Sequence, residues 1–125
     1  MAVQTIQALG TLFIGGVFVF AGIEHFVKFA AMRDYLAARK FPAPAFMLAA
    51  GSAVEIIAGF LLAVGIARPF AASALAAFTL ATNLMLLRFW ASAEPERQVL
   101  RNAFLINIAV IGGLLLAGAG QGVST

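Results

Sequence analysis

Glu55 is the only charged side chain between Phe41 and Ala67. A carboxylate at the centre of a membrane helix costs about 2.5–3.5 kcal/mol on insertion scales. It must therefore be protonated or find partners. The other polar groups that interrupt apolar sequence are Glu24, His25, Asn83, Arg88 and Asn107. Protonated glutamate donates one hydrogen bond and accepts others, asparagine does both, and imidazole can give or take a proton. Such a set suits the binding of a polar head group or the handling of protons. It does not suit metal capture or thiol chemistry, because the chain has one histidine and no cysteine. We assign no catalytic residue and no metal ligand. No electron carrier is visible, and enzymatic activity is left open.

The elements that position these groups follow from composition. The chain has 125 residues, 63% of them hydrophobic and 10% charged, with a mean hydropathy of +1.03. Soluble proteins are typically about a quarter charged. Residues 1–23, 69–87 and 102–125 carry no charge, and 41–67 carries Glu55 alone. A span needs roughly 20 apolar residues. The reading is one domain, an all-α integral membrane four-helix bundle, with helices at about 5–29, 45–66, 69–90 and 95–118. The first apolar run is too long for a signal h-region and lacks a preceding basic residue, so it is read as a retained helix.

Punctuation supports these limits. "FPAP" (41–44) breaks one segment and opens the next. Gly65 and Pro69 mark a short extracytoplasmic turn between the second and third spans. Pro95, with Glu94 and Glu96, suits a helix start. The link "FAAMRDYLAARKF" (29–41) is modestly amphipathic, with Phe29, Met32, Tyr35 and Leu36 on one side and Arg33, Asp34 and Lys40 on the other. It is expected to lie along the membrane surface. Trp90 and Tyr35 read as aromatic-belt anchors.

Lys28, Arg33, Arg39, Lys40, Arg88, Arg97 and Arg101 fall at one face, and Arg68 alone at the other. The positive-inside rule puts both long links in the cytoplasm and both termini outside. The net charge of +3 is thus read as cytoplasmic loop charge. Nothing in the sequence calls for a nucleic-acid partner.

At about 1.5 Å per residue, Glu55 lies about 15 Å from the cytoplasmic end of its span, Glu24 and His25 about 6–8 Å, Asn83 about 10 Å and Asn107 about 12 Å. Gly51, Glu55 and Gly59 are each four residues apart and share one helical stripe. With Gly15 and Gly22 on the first span, these glycines are expected to let helices approach closely. Small residues recur at Ala71, Ala74 and Ala77 and at Gly112 and Gly113. Glu55 then faces the bundle interior, with His25, Asn83, Asn107 and Arg88 as candidate partners. Two readings of it stand side by side: a bond that fixes helix packing, or a ligand site. A proton relay through Glu24, His25 and Glu55 is a lesser alternative.

The segments "GGVFVFAGIEHFVKF" (15–29), "GSAVEIIAGFLLAVGIARPFAA" (51–72) and "GGLLLAGAGQG" (112–122) resemble the DoxX family of small four-helix bacterial membrane proteins. Gly22, His25, Phe26, Gly51, Glu55, Gly59, Gly65 and Arg68 fit that family's pattern. The resemblance implies a bacterial inner-membrane location and a link to respiratory or sulfur redox systems. It implies an accessory subunit of a redox-linked complex; the buried carboxylate adds the expectation of a quinone or lipid site near Glu55, and the missing cysteine and cofactor motif that of no intrinsic cofactor. Expected partners are membrane lipids and a larger membrane complex or further copies of the chain. The rival readings are a small proton or metabolite carrier and a purely structural assembly factor.

The charge bias makes the topology testable. A cysteine at Ser124 should react with an impermeant thiol reagent in intact cells, and one at Ser92 should not. The opposite pattern would invert the assigned orientation.

Overall fold

The computed structural model describes residues 2–123, and side chains as far as Ala119. Five α-helices account for nearly all of them. These are α1 (Ala2–Val27), α2 (Phe29–Ala38), α3 (Pro44–Val64), α4 (Arg68–Met85) and α5 (Glu96–Val123), with a 3₁₀ turn at Phe89–Ala91. No strand occurs among the described residues. Four segments are long and apolar enough to cross a membrane: Ala2–Val27, Pro44–Val64, Arg68–Ala91 and Glu96–Ala119. The chain is an all-α, multi-pass integral membrane protein. Helices suit hydrocarbon because each satisfies its own backbone polar groups. The chain's first residue and its end at Ser124 and Thr125, on which the terminal topology rests, lie outside the described residues.

The chain forms two compact units, divided between Ala67 and Arg68. In the first, α1 and α3 run antiparallel, with Gly15 against Gly59 and Ala63, and Gly22 against Ser52 and Ile56. Contact here is backbone to backbone. A Cβ on Gly15 would collide with the Gly59 carbonyl oxygen and would lie 2.6 Å from Ala63 N. A Cβ on Gly59 would meet Gly15 O at 2.8 Å and Phe18 Cβ at 3.0 Å. At Gly22 it would meet Ile56 Cγ1 at 2.6 Å and Ser52 O at 2.8 Å. Gly51 is half-buried on the same helix as Gly59.

The α3 ends have the expected grammar. Pro44 occupies the first turn, and Gly65 closes the helix at φ 80°, a left-handed conformation that glycine adopts without penalty. Ile66 N then donates to Leu61 O at 2.8 Å. Only residues 65–67 separate α3 from α4. The first span breaks at Lys28, before the expected limit of residue 29, and α2 follows at once. Phe26 and Phe29 stack across the break at 6.2 Å. α2 buries Leu36 and half-buries Phe29 and Met32, whereas Tyr35 is exposed with Arg39 over its ring at 4.4 Å.

In the second unit, α4 and α5 pack antiparallel, with Asn83 near Phe104 and Gly118 near Ala72. Leu75 and Leu114 are fully buried. The stripe that packs is Ala71, Ala72, Leu75, Thr79 and Asn83. Ala74 and Ala77 are exposed, and a Cβ at Gly112 would meet nothing within 4 Å. Of the alanine series only Ala71 belongs to the packed stripe. α4 also stops at Met85, short of the expected residue 90. The 3₁₀ turn places Phe89 edge-on to Phe104 at 5.3 Å, so tertiary packing ends a run that local sequence would continue. At the start of α5, Glu94 Oε1 accepts from Gln98 N at 3.0 Å, satisfying an otherwise orphaned donor.

Gly59→Leu should lower the melting temperature of detergent-purified protein, at a cost of about 1–3 kcal/mol or more for overpacking. Gly16→Leu, at an exposed site with nothing within 4 Å, should leave it nearly unchanged. Equal melting of wild type and Gly59→Leu would refute the close-contact role.

Candidate functional site

Glu55 lies at the middle of α3 and is buried. Its partner comes from α1. Side chains on a helix lean toward its N-terminus, so His25 reaches back along α1 toward Glu55. Gly22, one turn earlier, has no side chain to hold α3 away: a Cβ there would sit 3.3 Å from Glu55 Cβ. The result is a contact of 2.8 Å between His25 Nδ1 and Glu55 Oε1. It is an ion pair when imidazole is protonated, and a neutral contact when the shared proton rests on the carboxyl. No other hydrogen-bond partner reaches Oε1.

A further residue joins them. Ser52, one turn before Glu55 on the same face of α3, is only 1% exposed, and its Oγ has no hydrogen-bond partner. Buried hydroxyls in helices normally bond a carbonyl one turn back. Thr79 does so to Leu75 O at 2.7 Å, and Thr82 to Phe78 O at 3.0 Å. Ser52 is the exception. Sequence reasoning passed over it, although its position three residues from Glu55 was a readable signal. The pair is more open on one side, since the His25 side chain is 24% exposed against 6% for Glu55.

Glu24 does not join this group. It is exposed and pairs at 3.8 Å with Lys28, one turn away. Successive helical residues point about 100° apart, so the neighbour of His25 faces elsewhere. This arrangement offers no support to a relay through Glu24.

Asn83 and Asn107 form a second polar cluster, within the other unit. Asn83 is fully buried, and its Nδ2 donates to Phe104 O at 3.2 Å. Its Oδ1 accepts from Asn107 Nδ2 at 2.9 Å. The opposite amide orientation would set two oxygens against each other at Phe104, so the network itself defines the orientation. This cluster ties α4 to α5. Arg88 is exposed, 5.9 Å from the centre of the Trp90 ring. Of the sequence candidates, the fold therefore joins His25 to Glu55 and Asn83 to Asn107, and leaves Glu24 and Arg88 at the surface. No three His, Asp or Glu side chains converge as a metal set among the described residues.

A family model described as DoxX matches residues 7–88, a stretch that includes His25, Ser52, Glu55 and the glycine contacts. The chain belongs to the DoxX family. No curated protein and no solved structure matches it. The matched stretch covers all of the first unit, apart from its first residues, and α4 of the second. The complete His25–Glu55 pair thus lies inside the DoxX match, whereas Asn107 lies beyond it.

The pair gives a stability test for this DoxX protein. Glu55→Leu should leave the imidazole facing apolar side chains, at about 1–3 kcal/mol for an unpaired buried group. Glu55→Gln should retain most of the packing and melt close to wild type. If Glu55→Leu is as stable as wild type, the contact contributes nothing to the fold.

Proposed function

We propose that this DoxX-family protein is an accessory subunit of a redox-linked complex in the bacterial inner membrane. At the His25–Glu55 pair it holds the polar head group of a quinone or lipid. One observation carries this reading: the buried Ser52 Oγ has no hydrogen-bond partner, and it stands one turn from a buried carboxylate that touches an imidazole. Unsatisfied buried polar atoms are costly, and intramembrane ionisable residues are functional by default.

The residues fit such a group. Ser52 and protonated His25 donate to a carbonyl oxygen. Glu55 accepts from a hydroxyl, and the pair can exchange a proton between imidazole and carboxylate. A bound quinone would supply two-electron, two-proton redox chemistry. In this reading electrons come from a partner protein, which is what an accessory role implies. Seven of the eight basic residues fall at one face, which supports cytoplasmic links and external termini.

The test is gentle extraction into nanodiscs followed by mass spectrometry of bound small molecules and proteins. Wild type should retain a quinone or a defined lipid and a redox partner. Glu55→Gln and Ser52→Ala should fold but lose the small molecule. Retention unaltered in both variants would remove the site from the pair. Proton-coupled flux in liposomes, without a bound head group, would replace this reading with that of a carrier.

A further inference from the structure

One face of α5 changes character along its length. Arg97 and Arg101 are one turn apart and exposed. Continuing the same face at helical spacing leads to Leu105, Ile108 and Leu115, which are 49%, 48% and 63% exposed. The face therefore begins with two guanidinium groups and passes directly into an apolar strip. Neither arginine pairs with a carboxylate among the described ion pairs. The nearby acid Glu94 is engaged with Gln98 N, and Glu96 lies in the first turn of α5. The backbone N–H groups of Arg97 and Gln98 are both taken, by Ala93 O and Glu94 Oε1. An anion here would thus be held by the side chains and not by the helix end.

An aromatic wall stands beside this face. Phe104 lies on it next to Leu105, and carries Phe89 and Trp90 edge-on at 5.3 and 5.8 Å. Trp90 remains 46% exposed, and its ring has Arg88 within 5.9 Å. Indole rings at a membrane boundary present an apolar body and one N–H donor.

From this juxtaposition we infer that the start of α5 is a binding site for an anionic phospholipid. Arg97 and Arg101 hold the phosphate, with Arg88 and Trp90 at its side, and an acyl chain lies along Leu105, Ile108 and Leu115. Charge complementarity and the basic-to-apolar sequence of the face match a lipid from head to tail. A soluble phosphate compound would use only the first part. The inference is independent of the His25–Glu55 site, which lies in the other unit.

The experiment is native mass spectrometry of the full chain released from mixed micelles containing equal phosphatidylglycerol and phosphatidylcholine. Wild type should retain phosphatidylglycerol preferentially. Arg97→Gln/Arg101→Gln should reduce that preference by about thirtyfold, given the worth of two basic residues near an anionic surface. Arg97→Lys/Arg101→Lys should keep most of it, which separates charge loss from misfolding. Arg33→Gln, which removes an exposed guanidinium already within 3.4 Å of Asp34, should behave as wild type. Equal retention of both lipids by wild type would overturn the proposal. So would an unchanged preference in the double Gln variant, or an equal loss in Arg33→Gln. Displacement by glycerol phosphate at concentrations equal to the lipid would show that the apolar strip contributes nothing, and would also overturn it.

Discussion

The close approach of α1 and α3 is the constraint on which the first unit depends. In hydrocarbon, water provides no hydrophobic drive to press two helices together, and association relies on packing and polar contacts. Gly15 and Gly59 remove the side chains that would separate the backbones, and Gly22 does so beside Glu55. The energetic benefit is many weak contacts at short range. The chemical consequence is local. With α3 this close to Gly22, a histidine one turn further along α1 reaches a carboxylate that would otherwise face apolar surroundings.

The second unit uses a different solution. Its helices meet through fully buried Leu75 and Leu114 and through the hydrogen-bonded Asn83–Asn107 pair. Such bonds between membrane helices average only about 0.6 kcal/mol in the best-measured case, so specificity of register is the larger contribution. Asn83 satisfies a carbonyl and an amide together, and a slip by one residue would lose both. The first unit's polar contact lacks this completeness. Its unpartnered Ser52 hydroxyl is what distinguishes a candidate site from an interhelical clamp.

Lipid contacts the spanning helices of both units. Large apolar side chains such as Phe13, Phe20, Phe46, Phe70 and Leu116 are well exposed on the spanning helices. In water these would be aggregation surfaces. On spanning helices such side chains suit contact with lipid.

Membrane spans, helix starts and family were legible from residue types, because hydrocarbon thickness and backbone satisfaction impose simple rules on length and polarity. Proline and glycine marked both ends of α3 for reasons of backbone geometry alone. The Gly15, Gly22 and Gly59 contacts were also readable, since absence of a side chain has few other uses in the middle of a membrane helix. Partner choice was not. Helical periodicity says which residues share a face, but not which face meets which helix. Thus Glu24 and His25 were equivalent neighbours until packing turned one inward, and of the alanine series on α4 only Ala71 is packed. The early end of α4 was equally hidden, for "LMLLRFW" carries no breaker and only the docking of Phe89 and Trp90 on Phe104 stops it. The sequence by itself determined that this chain crosses a membrane as helices. Only the tertiary structure decided that Glu55 meets His25, because that contact depends on a backbone approach between residues about thirty positions apart.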